Sequence, residues 1–157
     1  MKKFLSFERD PLRLTYATCL GIGIGLSPFL GLQTWLAIGL ARLCGLSIPL
    51  TFSVLYLVNN PFITTIPIAI ANYVTGYLFF TYVLPLDLCG SNPAWFSWIE
   101  RKIAPTLYTY TGLKQVCFWY FIGGGIIFAI LVTAALYPFI KYFYINLVKK
   151  YENSSSK

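Results

Sequence analysis

The chain has 157 residues, of which 57% are hydrophobic, 18% are aromatic and only 11% are charged. Soluble domains carry about 25% charged residues, so this chain has too few charges to cover the surface of a soluble globule of its size. The same composition argues against an intrinsically disordered chain and against a coiled coil. We therefore expect an integral membrane protein.

The net charge of +7 does not indicate a nucleic-acid partner, because the basic residues flank apolar stretches instead of forming one patch. Both ends of the chain are rich in lysine and arginine, which predicts that both termini are cytoplasmic. Arg42 is the only basic residue between Arg13 and Arg101. The other basic residues are Lys2, Lys3, Arg9, Arg13, Arg101, Lys102, Lys114, Lys141, Lys149, Lys150 and Lys157.

Three long stretches contain no charged residue. They lie between Arg13 and Arg42, between Arg42 and Asp87, and between Lys114 and Lys141. Each exceeds the roughly 20 apolar residues that a helix needs to cross a bilayer. The third stretch predicts a conventional transmembrane helix over residues 115–140. Its run of three glycines, residues 123–125, offers a surface that another helix could approach closely.

The first two stretches are interrupted, which predicts broken helical segments over residues 14–41 and 46–84. In the first, the small or helix-breaking residues are Gly21, Gly23, Gly25, Ser27, Pro28 and Gly31. In the second, Asn59, Asn60 and Pro61 fall between two apolar runs, and Pro67 follows. The two breaks resemble each other at an offset of 33 residues, which leaves an internal repeat open. Discontinuous helices of this kind surround the substrate sites of many transporters.

Polarity returns from Asp87 to Lys114, where tryptophans recur at helical spacing. This pattern predicts an amphipathic helix lying in the membrane interface over residues 87–114. The serine-rich residues 153–157 are expected to be a disordered tail. Residues 1–152 are thus predicted to form a single membrane domain.

The four cysteines contain no CxxC pair, and the chain has no histidine, so we expect no metal site and no cofactor. Cys19 and Cys44 are best explained as small hydrophobic residues. Cys89 and Cys117 bracket the polar region and could form a disulfide if it faces an oxidising compartment. The acidic residues all lie outside the apolar stretches, so no acid/base pair is visible and we expect no enzyme and no catalytic residues.

Five polar residues are candidates for a substrate site: Gln33, Thr34, Arg42, Asn59 and Asn60. Gln33 could bind a ligand or merely cap carbonyl groups freed by Pro28, and the asparagines have the same ambiguity. An ionisable residue inside a membrane is a functional candidate. Arg42 nevertheless stands at the end of its apolar run, where snorkelling to the interface is the simpler explanation.

The most specific motif is CLGIGIGLSPFLGLQTWLA, residues 19–37. It resembles the G-x-x-x-G-x-x-P-x-x-G-x-Q signature of the bacterial membrane family called domain of unknown function 2062. The matching positions are Gly21, Gly25, Pro28, Gly31 and Gln33. The second family motif is similar to Asn60, Pro61, Thr65, Pro67, Tyr73 and Gly76. The resemblance implies a bacterial inner-membrane protein, joined in some relatives to envelope glycosyltransferase modules, and implies no particular reaction.

The predicted fold is therefore all-α: a small polytopic membrane protein with two broken or re-entrant helical hairpins, an interfacial amphipathic helix and a C-terminal transmembrane helix. One functional hypothesis is a small transporter or lipid-carrier flippase that receives a lipid headgroup or polyprenyl-phosphate at the breaks. The alternative is a non-catalytic partner or scaffold for envelope glycosyltransferases. A homo-oligomer is compatible with both hypotheses.

Overall fold

The computed structural model describes residues 10–29, 31–60, 64–85, 92–93, 96, 101–102, 104–105, 108–109, 112 and 117–155, the last five by backbone alone. Within these ranges the protein is helical and contains no strand, which confirms the all-α class. The helices are α1 (Pro11–Leu26), α2 (Gln33–Leu43), α3 (Ile48–Val58), α4 (Thr65–Leu78) and α5 (Phe118–Ser155). A π-helical turn, Phe79–Val83, continues α4.

The chain divides into two compact units. Unit 1 comprises residues 1–60 and 129–157, and unit 2 comprises residues 61–128. The sequence predicted one membrane domain across both. Helix α5 contributes its C-terminal part to unit 1 and its N-terminal part to unit 2.

The predicted break in the first apolar stretch is present, and it has local causes. Helix α1 begins with Asp10 as N-cap, whose side chain accepts a hydrogen bond from the Leu12 N–H, and with Pro11 in the first turn. It ends at Leu26 because Ser27, which precedes Pro28, is extended with ψ 154°. Gly31 then has φ +90°, a left-handed conformation that only glycine adopts readily.

The second break separates α3, which ends at Val58, from α4, which begins at Thr65. Pro61 lies outside the described residues. Pro67 lies in the first turn of α4, where the missing N–H has no intrahelical partner to lose. Pro67 therefore follows the break and does not itself interrupt a helix.

In unit 1, α1 and α3 run parallel and touch along two glycines. A Cβ on Gly21 would lie 2.6 Å from the Thr51 carbonyl oxygen and 2.9 Å from Val54 Cβ. One turn further, a Cβ on Gly25 would lie 3.2 Å from Val58 Cβ. Contacts that advance together along both helices define a parallel pair. The pairs 21–54 and 25–58 also keep the offset of 33 residues that relates the two breaks in the sequence.

Helix α2 returns antiparallel alongside both helices, and the packing relies on small side chains. Ile24, Ala37 and Leu55, one from each helix, form the buried apolar cluster. Other fully or nearly buried residues of the three helices are Thr15, Ala17, Ala41 and Thr51. In each threonine the hydroxyl group donates a hydrogen bond to the backbone carbonyl oxygen four residues earlier in the chain. Small residues at helix contacts are typical of membrane proteins, where backbones approach closely.

The C-terminal part of α5 lies antiparallel to α1 in unit 1. A Cβ on Gly23 would meet Thr133 Oγ1 at 3.3 Å, and Thr18 Oγ1 is 2.8 Å from Tyr144 OH. The rings of Tyr16 and Tyr137 are stacked with their centroids 6.1 Å apart. The beginning of α1 and the end of α5 are therefore at the same end of unit 1.

Unit 2 is built where α4 meets the N-terminal part of α5. Gly76 and Gly124 face each other with no room for a Cβ on either residue, and the Phe80 ring covers Gly123. The glycine run thus provides the close helix approach that the sequence predicted. Aromatic rings surround this contact: Tyr73, Tyr77, Phe80, Phe96, Phe118, Tyr120 and Phe121.

Beside that contact, Cys117 is buried and forms a disulfide, whereas Cys19 and Cys44 are free. Cys89, the predicted partner of Cys117, lies outside the described residues. The Phe118 N–H donates to Asn92 Oδ1 at 2.9 Å and the Cys117 N–H to Tyr73 OH at 3.4 Å. These bonds satisfy backbone donors at the start of α5.

Helix α5 is longer than predicted. It runs from Phe118 to Ser155, so the expected disordered tail is wrong for residues 153–155, while residues 156–157 lie outside the described ones. After Pro138 the sequence contains neither glycine nor proline to stop the helix. In the predicted interfacial region, residues 101–102, 104–105 and 108–109 are helical, and much of the rest lies outside the description.

In the part of the chain that the structure describes, two helical segments are long and apolar enough to cross a membrane, Thr65–Val83 and Phe118–Lys150. Large apolar side chains are also exposed outside these segments. Trp35, Leu43 and Leu57 of α2 and α3 are 74%, 83% and 80% exposed. Extended apolar surfaces of this kind indicate contact with lipid or with another protein.

Replacing Gly21 with alanine is expected to lower stability, because the new methyl group would press on the Thr51 carbonyl and Val54. Overpacking of this kind costs roughly 1–3 kcal/mol. Gly39 is the matched control: it lies in α2 with nothing within 4 Å of an added Cβ. Gly39→Ala should be neutral or stabilise by up to about 1 kcal/mol through helix propensity. Thermal unfolding in detergent measures both, and equal melting temperatures would contradict the α1–α3 contact.

Candidate functional site

The two helix breaks meet at the side chain of Gln33. Its Nε2 donates a hydrogen bond to the Ser27 carbonyl oxygen at 2.8 Å, within the first break. Its Oε1 accepts a hydrogen bond from Nδ2 of Asn59, the residue that ends α3. Gln33 is only 6% exposed. One buried amide therefore joins the two breaks, through a partner 26 residues away in the chain.

Local backbone structure places this amide. The N–H groups of Leu32 and Gln33 both donate to the Phe29 carbonyl oxygen, at 3.0 and 3.1 Å, which closes the turn before α2. Leu32 is the N-cap residue of α2, and its side chain makes no capping hydrogen bond. On the other side, the Asn59 N–H donates to Leu55 O at 2.8 Å and completes the last turn of α3. The parallel packing of α1 and α3 brings both helix ends to the same level.

The remaining amide capacity gives the site its chemistry. A glutamine amide offers two N–H donors and two acceptor lone pairs, of which the Ser27 and Asn59 bonds use one each. Thr34 and Asn60 are half-buried beside Gln33 and Asn59. We call Gln33, Thr34, Asn59 and Asn60 the break cluster. It is uncharged, suited to hydrogen bonding with hydroxyl, amide or phosphoryl oxygen groups, and it contains no nucleophile paired with a base.

Arg42 does not join the break cluster. It lies at the opposite end of α2, nine residues after Gln33 and therefore about 14 Å away along the helix axis. Its side chain is exposed. The five residues predicted as one site are thus divided between two ends of unit 1.

The glycines and prolines predicted to shape the site have separate tasks. Gly21 and Gly25 let α3 approach α1, while Pro28 and Gly31 form the first break. Pro67 follows the second break, and Pro61 is outside the described residues.

Sequence reasoning missed two polar contacts. The acceptor for Gln33 is a backbone carbonyl, Ser27 O, which no side-chain pattern can reveal. The bond between Thr18 and Tyr144 joins residues far apart in the chain, and neither residue belongs to a motif. Among the described residues, no group of three or more His, Cys, Asp or Glu side chains is placed to hold a metal ion.

Comparison with known families identifies the chain. The family model described as "uncharacterized protein conserved in bacteria", domain of unknown function 2062, matches residues 1–153. The chain belongs to this family. The match covers both units and confirms the resemblance seen in the glycine and proline motif. Neither the curated proteins nor the solved structures include a match to the chain.

Replacing Gln33 with leucine is expected to destabilise unit 1 by about 1–3 kcal/mol, because Ser27 O and the Asn59 amide would lose their shared partner in a buried position. Thr34→Val is the matched control, since it also removes a polar group from the first turn of α2. The thermal midpoint in detergent should fall only for the Gln33 variant. Equal midpoints would show that the amide bridge does not hold the breaks together.

Proposed function

We propose that this protein is a non-enzymatic, multi-pass protein of the bacterial inner membrane that carries the polar headgroup of a lipid through the break cluster. The observation that carries the proposal is the Gln33 amide, which joins Ser27 and Asn59. A break in one helix is a common irregularity. Two breaks connected by exchangeable amide hydrogen bonds form a polar site that a headgroup could enter by replacing one of them.

The dimensions of unit 1 support a membrane setting. Helices α2 and α3 have 11 residues each, or about 16 Å, half of the roughly 30 Å hydrocarbon core. They form a hairpin too short to span, with Trp35, Leu43 and Leu57 exposed on it. Neither helix can cross the bilayer alone, which fits two half-helices whose inner ends meet at the break cluster.

The depth of the break cluster follows from helix rise. Ser27 lies thirteen residues beyond Leu14 on α1, or about 20 Å. If Leu14 marks one boundary of the hydrocarbon, the break cluster lies about two thirds of the way across. The backbone groups that are freed by a break at such depth need hydrogen bonds from protein or water. Gln33 provides one of these bonds, to the Ser27 carbonyl oxygen. The break cluster is therefore closer to the opposite leaflet.

We propose that both termini are cytoplasmic. The start of α1 and the end of α5 share one end of unit 1, where basic residues are concentrated. Cys117, which precedes α5 in unit 2, is in a disulfide. Disulfides persist in oxidising compartments, which supports a periplasmic position for Cys117.

The free Cys44 tests this orientation, because the turn that follows α2 lies at the same end of unit 1 as the start of α1. A membrane-impermeant maleimide should label Cys44 in inverted membrane vesicles and not in intact spheroplasts. The Cys44→Ser variant is the control, since Cys19 is buried and should remain unlabelled. Labelling of Cys44 in spheroplasts alone would reverse the proposed topology.

The alternative, a scaffold for envelope glycosyltransferases, relied on glycine-rich faces free to receive a partner helix. Gly21 and Gly25 face α3, and Gly76 and Gly124 face each other within the chain. Gly39 of α2 has no neighbour within 4 Å of an added Cβ. These contacts leave the scaffold hypothesis less structural support than the headgroup site.

Lipid movement is testable in vesicles that contain the purified protein. Fluorescent phospholipid and fluorescent polyprenyl-phosphate are supplied in both leaflets, and an impermeant quencher reports exchange between leaflets. We expect one of the two lipids to exchange between leaflets faster than it does in empty vesicles. The double variant Gln33→Leu with Asn59→Leu should lower that exchange rate at least about tenfold. A tenfold loss corresponds to about 1.4 kcal/mol, which is within the energy of two hydrogen bonds.

The Gly39→Ala variant, with the break cluster intact, controls for reconstitution and should exchange lipid as the wild type does. The proposal fails if neither lipid exchanges faster than in empty vesicles, or if the double variant remains fully active. In the latter case the break cluster would be a purely structural joint.

A further inference from the structure

Unit 1 carries a second feature at the end opposite the break cluster. We propose that Arg13, Arg42 and Lys141, here called the basic rim, bind the phosphate groups of anionic phospholipids in the cytoplasmic leaflet. This inference rests on the membrane embedding proposed above. It does not require that the break cluster transports anything.

Helix register places the three cations at one level. The α1–α3 contacts pair Gly21 with Val54, so Leu14 is level with Ser47, at the turn that Arg42 precedes. On α5, Thr133 is level with Gly23. Ten residues, or about 15 Å, separate Gly23 from Arg13, and the same distance along the antiparallel α5 reaches residue 143. Lys141 is therefore within about 3 Å of the level of Arg13.

The rim has little compensating charge. Within residues 10–60 and 129–150, Asp10 is the only acidic residue. It lies 4.0 Å from the Arg13 guanidinium, with both side chains more than half exposed. An exposed pair of this kind contributes little energy and leaves Arg13 able to bind an external anion. Helices α1 and α3 begin at this end and α2 ends there, so the positive dipole ends of α1 and α3 are partly offset by the negative end of α2.

The surroundings of the rim favour a lipid over free phosphate. Leu43, directly after Arg42, and Tyr142 and Phe143, directly after Lys141, are among the most exposed apolar residues described. The rings of Tyr16 and Tyr137 lie at the same end, with Lys141 Nζ 6.0 Å from the Tyr137 ring centroid. A ligand that offers phosphate beside acyl chains satisfies both the cations and the apolar side chains, as in interfacial anchors.

Native mass spectrometry of the full chain in mild detergent tests the proposal. The protein is mixed with equal amounts of phosphatidylglycerol and phosphatidylcholine, and the retained lipids are counted. We expect the wild type to retain phosphatidylglycerol in preference to phosphatidylcholine. Each of the substitutions Arg13→Gln, Arg42→Gln and Lys141→Gln should lower the ratio of the two retained lipids about fivefold. One basic residue near an anionic surface contributes about a factor of this size to binding.

The control is Arg101→Gln with Lys102→Gln, which removes two exposed basic residues of unit 2 and should leave the preference unchanged. The inference is overturned if the triple variant keeps the wild-type preference while its melting temperature is unchanged, or if the wild type shows no preference. Competition by millimolar inorganic phosphate would assign the rim to a free anion and overturn the lipid assignment.

The result is separable from the proposed headgroup carrier. Gln33→Leu should retain the phosphatidylglycerol preference even where lipid exchange is lost, since the break cluster is about 14 Å or more from the rim. A triple rim variant that still exchanges lipid would leave the carrier proposal intact.

Discussion

The constraint on which unit 1 depends is the need to satisfy backbone polar groups where two helices stop among apolar side chains. The first break frees carbonyl groups at the end of α1, and the second ends α3 at Asn59. Unpaired polar groups in such surroundings cost several kcal/mol each. The Gln33 amide bonds to the backbone at the first break and to a side chain at the second, because its Nε2 donates to Ser27 O and its Oε1 accepts from Asn59 Nδ2. Breaks that would each weaken an isolated helix thereby become a joint between helices.

That joint exists only because α1 and α3 approach closely in parallel. Gly21 and Gly25 remove the side chains that would otherwise separate the two helix axes. The close contact brings the two helix ends level, and the antiparallel α2 then starts within reach of both. A tilt or shift of one helix by a single turn, about 5.4 Å, would move Asn59 beyond hydrogen-bonding distance of Gln33. Glycine packing and amide bonding are therefore two parts of one arrangement.

The sequence allowed prediction of the breaks and of the close helix contacts, because proline, glycine and asparagine act on their own backbone neighbourhood. It did not allow prediction of the partnership between Gln33 and Asn59, which depends on helix register across 26 residues. Arg42 was grouped with them by polarity alone. Helix rise separates it from them, since nine helical residues place it at the other end of α2. Helix α5 extends to Ser155, into the tail that the serine content predicts to be disordered, because no helix breaker follows Pro138.

The separation of charged from uncharged polar groups has a physical reason in the proposed membrane setting. An arginine at the depth of the break cluster would have to lose its hydration without a carboxylate partner, since unit 1 has no acidic residue near the breaks. Amides can be buried at lower cost because they bond to each other and to carbonyl groups. Their bonds can also be exchanged for those of an entering headgroup, with little net loss of hydrogen bonding. In that setting, the proposed contacts of the rim cations with headgroups would fix the depth of the α2–α3 hairpin. The same charges would then set how far into the bilayer its amide-lined end can reach.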